Sequence, residues 1–205
     1  MNNHSKILWE AYESFLLPLG NKKVPTPYRI NETGAFQKTR PEFQGKSSPK
    51  VLEEITRKFA KEKKINLEKA SVEEIRNFMR KNKLGIDCSG FVYRILNHLI
   101  QEIKGKSLID FGFPHVGRAN VAKLTSTEFS KPVKNLKQAK SADLIKCANN
   151  SGSLHVLLVL ENKDGEITYA HSSKGNNLTG IKREKISVNK LPTGFLEIRR
   201  LKILS

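Results

Sequence analysis

Gly85-Ile86-Asp87-Cys88-Ser89-Gly90-Phe91-Val92 runs from a turn straight into a helix. Phe91, Val92, Ile95, Leu96, Leu99 and Ile103 recur at helical spacing and give that helix a broad apolar face. Cys88 therefore sits at or near the helix N-terminus. Free backbone N–H groups and the helix dipole favour a thiolate there. The same N–H groups can hold the oxyanion of a tetrahedral intermediate. Asp87 and Ser89 can cap the helix, and Gly90 lets a neighbouring element approach closely. A buried structural cysteine would satisfy the same pattern, so a nucleophile needs a base to be read with it.

Downstream, His155 heads the run Val156-Leu157-Leu158-Val159-Leu160. An imidazole on an otherwise apolar strand is either satisfied within the core or placed for chemistry. His4, His98 and His115 are weaker candidates, being terminal, three helical turns from Cys88, and in a loop. Asn162-Lys163-Asp164-Gly165 suits a type I turn closing into a bulged hairpin, which pairs Asn162 with Glu166. In that register His155 and His171 share a face as diagonal neighbours, about 7 Å apart. His171 can then orient His155 as a third polar group does in other triads. A two-residue loop would put the two histidines on opposite faces.

Elsewhere the periodicity predicts a helix from about Ser5 to Leu17, stopped near Pro18 and Gly20, then loop over 20–48. Ser48-Pro49 opens a second helix running to about Lys64. Ser71-Val72-Glu73-Glu74 is a capping box for a third, running to about Lys81. Strands are expected at Asp143–Cys147, His155–Leu160, Ile167–His171, Gly180–Ser187 and Phe195–Ile203. Helices followed by strands predict an α+β domain. Its parts are an N-terminal helix and loop (1–33), a helical insertion or cap (34–83) and a core (84–205).

Asp87-Cys88-Ser89-Gly90-Phe91-Val92 resembles the nucleophile motif of the NlpC-type cysteine peptidases, a papain-like group of bacterial cell-wall endopeptidases. Ala142-Asp143-Leu144-Ile145 resembles that family's Gly-Asp-Leu strand, with Ala in place of Gly. His155 to Leu160 resembles the strand that begins with its catalytic His. Ala170-His171-Ser172-Ser173 resembles the segment carrying its third polar residue. Pro27-Tyr28-Arg29 resembles an upstream segment whose Tyr lies beside the nucleophile, and Arg118 stands where the family often has an Arg. The aromatic-Gly-Gly run that usually follows the Tyr-Arg pair is replaced by Ile30-Asn31-Glu32. The resemblance implies a papain-like fold in which the nucleophile helix packs on an antiparallel sheet. It implies a thiol protease, a hydrolase of peptidoglycan stem peptides, with Cys88, His155 and His171 catalytic and no cofactor. Tyr28, with Asp87 and Ser89 beside Cys88, would serve the oxyanion or substrate.

The chain has 205 residues and a formal net charge of +17. Residues 1–85 hold 18 basic and 10 acidic side chains, and the remainder 19 and 10, so the excess is no tail. A diffuse positive field favours anionic partners generally, whether nucleic acid, acidic lipid or cell-wall polymer, and names none of them; peptidoglycan or another anionic wall polymer is what the resemblance implies. A basic nucleic-acid-binding module is the weaker alternative, because no basic–aromatic recognition motif is present. A zinc site of Cys88, Cys147, His155 and His171 lacks the usual close-spaced ligand pairs. An amidase, deamidase or acyltransferase using the same triad stays open. Two cysteines exclude a disulfide-stapled mini-domain. No apolar run reaches the roughly 18 residues of a membrane span. No signal-peptide core is visible, so the expectation is a protein cytoplasmic at synthesis, with action at the cell envelope and action on recycled wall peptides in the cytosol both open.

Overall fold

The structure, a computed structural model, describes residues 3–30, 44–149, 152–175 and 180–205. Helix α1 (Asn3–Ser14) ends three residues earlier than its apolar spacing suggests. Leu17 and Leu19 instead point inward alternately on a short strand, β1 (Leu16–Leu19), which pairs with β2 (Lys22–Pro25). Gly20, at φ 65°, turns the chain back between them. Part of the expected 20–48 loop is thus a strand.

Helix α2 (Pro49–Glu62) opens as expected, with the Ser48 hydroxyl accepting the Val51 N–H and Pro49 in the first turn. Helix α3 (Val72–Lys81) carries the complete capping box: Ser71 and Glu74 each accept the other's backbone N–H, at 3.2 and 2.7 Å. Leu52, Ile75, Met79 and Leu84 close with Leu17, Leu19 and Val24 into a small core of their own. The helices of the 34–83 segment therefore cover the β1–β2 hairpin. Its first residues, 34–43, lie outside the described residues.

Helix α4 (Cys88–Lys104) and a short α5 (Val121–Leu124) precede six strands: β3 (Ser130–Val133), β4 (Leu144–Ala148), β5 (Leu154–Lys163), β6 (Glu166–Ser173), β7 (Gly180–Ser187) and β8 (Phe195–Leu201). They form one antiparallel sheet in the order β3-β8-β4-β5-β6-β7. Mixed α+β architecture is what the sequence pattern predicts. Strand β3 is the unforeseen member. It is a four-residue edge strand containing Pro132, too short for an alternation signal and placed where proline is tolerated. The last strand stops at Leu201 and continues as a 3-10 turn instead of reaching Ile203.

The sheet is buried on both faces. Toward the helices, Val156, Leu158 and Leu160 of β5 and Ala170 of β6 pack against Phe91, Val92, Ile95, Leu96 and Leu99 of α4 and Leu8 and Ala11 of α1. The five α4 residues named are fully inaccessible to solvent, each worth about 1.5–3 kcal/mol of apolar burial. On the outer face Cys147, Leu157, Val159, Ile167 and Tyr169 form a second cluster. Among the described residues no helix is long and apolar enough to cross a membrane.

The β5–β6 hairpin reaches the predicted register by a different route. Its loop is two residues, Asp164 and Gly165, both at positive φ (52° and 79°), as a type I′ turn requires. Lys163 therefore pairs with Glu166, where Asn162 was expected. A bulge between Val159 and Glu161 then absorbs one extra residue. Beyond it Val159 faces Tyr169 and Leu158 faces Ala170, the register the longer loop would have produced. The bulge cancels the short turn, so His155 and His171 lie on one face after all.

Candidate active site

The segment before α4 is tied down on two sides. Ile86 donates its N–H to the Pro27 carbonyl and accepts the Arg29 N–H, and the Asp87 N–H goes to the Gly45 carbonyl. Asp87 is the helix cap, its carboxylate accepting the Gly90 N–H at 2.6 Å. A Cβ on Gly90 would lie 2.5 Å from the Gly45 carbonyl oxygen, so only glycine fits under this strap. Beneath it the Lys46 ammonium, almost fully buried, donates to Asp87 (2.8 and 2.7 Å), to the Ser89 hydroxyl (2.7 Å) and to the Ala119 carbonyl (2.9 Å). Asp87 and Ser89, expected beside the oxyanion or substrate, are thus occupied in holding the helix start. Lys46 had no sequence signal: it is one lysine among many in a stretch that reads as loop.

Cys88 is the first residue of α4, and the Ser89 and Val156 backbone N–H groups lie near enough to its sulfur to favour the thiolate. The second contact follows from the sheet. The β5–β6 ladder runs from the turn to Leu158↔Ala170 and no further, so Val156 has no partner in β6. The pre-helix segment fills the opening, with the Ser172 hydroxyl donating to the Ile86 carbonyl at 2.7 Å. Cys88 also borders an open cleft of about 530 Å³ with Tyr28, Asn120, Ser153 and Leu154 among its walls. Tyr28 thus stands in the same cleft as the nucleophile candidate. Arg118, from the same resemblance, is exposed.

The two histidines meet: His155 Nε2 lies 2.6 Å from His171 Nδ1. His171 Nε2 lies 3.0 Å from Glu184 Oε2, adding a carboxylate that sequence reasoning missed. Only the β6–β7 pairing brings Glu184 beside Tyr169, and the sequence between His171 and Gly180 gives no register signal. These three side chains, with Cys147, Leu157 and Tyr169, line a second cavity of about 550 Å³ on the outer face. Cys88 approaches the Val156 peptide from the α4 side, while the ring of the preceding residue, His155, belongs to the outer-face cluster. No hydrogen bond joins Cys88 to His155 among the described residues. His155 Nδ1 is the ring nitrogen left without a partner there.

Burial, with the neighbouring Asp87 charge second, pushes the Cys88 thiol up to about 11, overcoming Lys46 and the two N–H groups. The expectation of a lowered thiol pKa is therefore corrected: burial outweighs the Lys46 charge and the two nearby N–H groups. Burial also pushes His155 and His171 down to about 4, and pushes the Tyr28 hydroxyl up. At neutral pH the site holds a thiol, two neutral imidazoles and a neutral phenol. Among the described residues no group of three or more His, Cys, Asp or Glu is placed to hold a metal. Cys88 and Cys147 border different cavities, which separates the ligands of the zinc alternative. In comparisons with known proteins, no protein family and no curated protein matches the chain.

Proposed function

We propose that the protein is a cysteine-dependent hydrolase of the papain-like type that cleaves an amide bond in peptidoglycan stem peptides or related wall peptides. The observation that carries this reading is the placement of Cys88: first residue of a buried helix, open to a cleft shared with Tyr28, and against the peptide that follows His155. His155 is in turn engaged by His171.

With the thiol and both imidazoles neutral, the chemistry starts as general-base catalysis rather than from a resting ion pair. His155 takes the Cys88 proton as sulfur attacks the amide carbonyl, a transfer that requires the two side chains, which border different cavities, to come within hydrogen-bond distance. The Cys88 N–H and the Tyr28 hydroxyl donate to the developing oxyanion. His155 then returns the proton to the leaving nitrogen as the C–N bond breaks, leaving a thioester. Water, deprotonated by His155, attacks the thioester, and the thiol leaves with a proton. Asp87, Ser89 and Lys46 hold the helix start in position.

The experiment is incubation with purified peptidoglycan and, in parallel, with simple acyl amides, reading newly released amines. Release from peptidoglycan supports the reading. Turnover of simple amides alone would move the substrate class to small amides, and release from neither would remove the hydrolase reading.

A further inference from the structure

The hydrogen-bonded chain that begins at His155 does not stop at the second histidine. Glu184 on β7 accepts three donors: the Lys182 ammonium on Oε1 (2.8 Å), and the Tyr169 hydroxyl (3.1 Å) and His171 Nε2 (3.0 Å) on Oε2. Burial alone would raise the Glu184 carboxyl. The Lys182 bond and charge, His171 and the Tyr169 hydroxyl bring it below the usual carboxylate range, so it is ionised at neutral pH.

An ionised carboxylate only accepts. The proton between Glu184 and His171 therefore sits on His171 Nε2. A neutral imidazole carries one N–H, so His171 Nδ1 presents a lone pair. That lone pair faces His155 Nε2 at 2.6 Å, so His155 must supply the proton of this bond. His155 then has its single N–H on Nε2 and a bare lone pair on Nδ1, the nitrogen with no partner among the described residues. We propose that Glu184 is a positioning residue that sets the protonation pattern of both histidines, so that His155 presents an unprotonated Nδ1 as the base for Cys88. The inference rests on the hydrolase reading for its catalytic consequence, while its structural half needs no substrate. In the opposite pattern His155 Nδ1 would carry the proton and could not accept one from sulfur. Which way the chain is polarised decides whether the site has a base.

The test compares wild type, Glu184→Ala and Glu184→Gln. Histidine ¹⁵N spectra at pH 7 read the protonated nitrogen of each ring, and kcat/KM is measured on an amide substrate. The Glu184 side chain is about two-fifths exposed, and a thermal midpoint for each variant checks that the fold survives. Wild type should show Nε2–H on both rings. Glu184→Ala should mix the two forms at His155 and lower kcat/KM about 10- to 100-fold, by analogy with the loss of a carboxylate that orients a metal-bound histidine. Glu184→Gln, whose amide oxygen still accepts, should restore the Nε2–H form and most of the activity. An unchanged His155 signature in Glu184→Ala overturns the proposal, as does a Glu184→Gln protein indistinguishable from Glu184→Ala. If the spectra change as stated but wild type cleaves no amide, the positioning role stands and the hydrolase reading falls.

Discussion

Cys88 is held as a thiol by its surroundings, and this sets how it reacts. With the thiol pushed up to about 11, the thiolate fraction grows tenfold per pH unit through the neutral range. Alkylation by iodoacetamide should therefore be slow at pH 7 and climb steadily toward pH 11, measured as Cys88-specific adduct by peptide mass spectrometry. A plateau reached below pH 7 would instead reveal a preformed thiolate–imidazolium pair. Cys147, also buried and raised to about 11, is told apart in the same experiment by its own peptide. Ala142 offers a second test at this scale. It is buried at φ 73°, in the left-handed region that favours glycine, at the turn into β4. A side chain in that region costs about 1–2 kcal/mol. Ala142→Gly should raise the thermal midpoint by a few degrees, about 1 kcal/mol of added stability. A lowered midpoint would show that the buried methyl matters more than the backbone.

At the scale of elements, the start of α4 depends on Lys46. Lys46→Met removes one partner from a buried, hydrogen-bonded ion pair, and such breaks cost about 3–5 kcal/mol. Urea unfolding should show that loss, and Lys46→Met with Asp87→Asn should recover part of it. If both variants unfold alike, the pair does not hold the helix start. This is also where sequence reading has its limits. The capping box of α3, the Ser48–Pro49 start of α2, the apolar face of α4 and its cap at Asp87 are written in contiguous residues, so they are legible. Lys46 and Glu184 act across 41 and 13 positions respectively, through strand pairings no local pattern encodes. The hairpin shows a subtler limit. Turn chemistry predicted the wrong loop length, and a bulge that leaves no clear mark in Val159-Leu160-Glu161 restored the register.

Across the whole molecule, the buried histidines tie stability to pH. Both fall from about 6.5 unfolded to about 4 folded, so the unfolded chain binds more protons between those values. Stability should be complete above pH 6.5 and fall as pH drops toward 4, by at most about 1.4 kcal/mol per pH unit for each histidine. Urea midpoints at pH 7 and pH 5 measure this, and an equal stability at both would contradict the buried, neutral pair. On the proposed reading, the net charge of +17 serves the approach to anionic wall polymer and not the chemistry. High salt should weaken binding to isolated wall while leaving turnover of a small neutral amide nearly unchanged; a parallel fall in both would place the charge at the reacting centre. The central claim is that Cys88 forms the bond to the acyl group. The most direct measurement is amine release from purified peptidoglycan by wild type and by Cys88→Ala at matched concentration, with circular dichroism confirming that both are folded. The account predicts steady release by wild type and none above the no-protein background by Cys88→Ala. Equal release by the two proteins would contradict it.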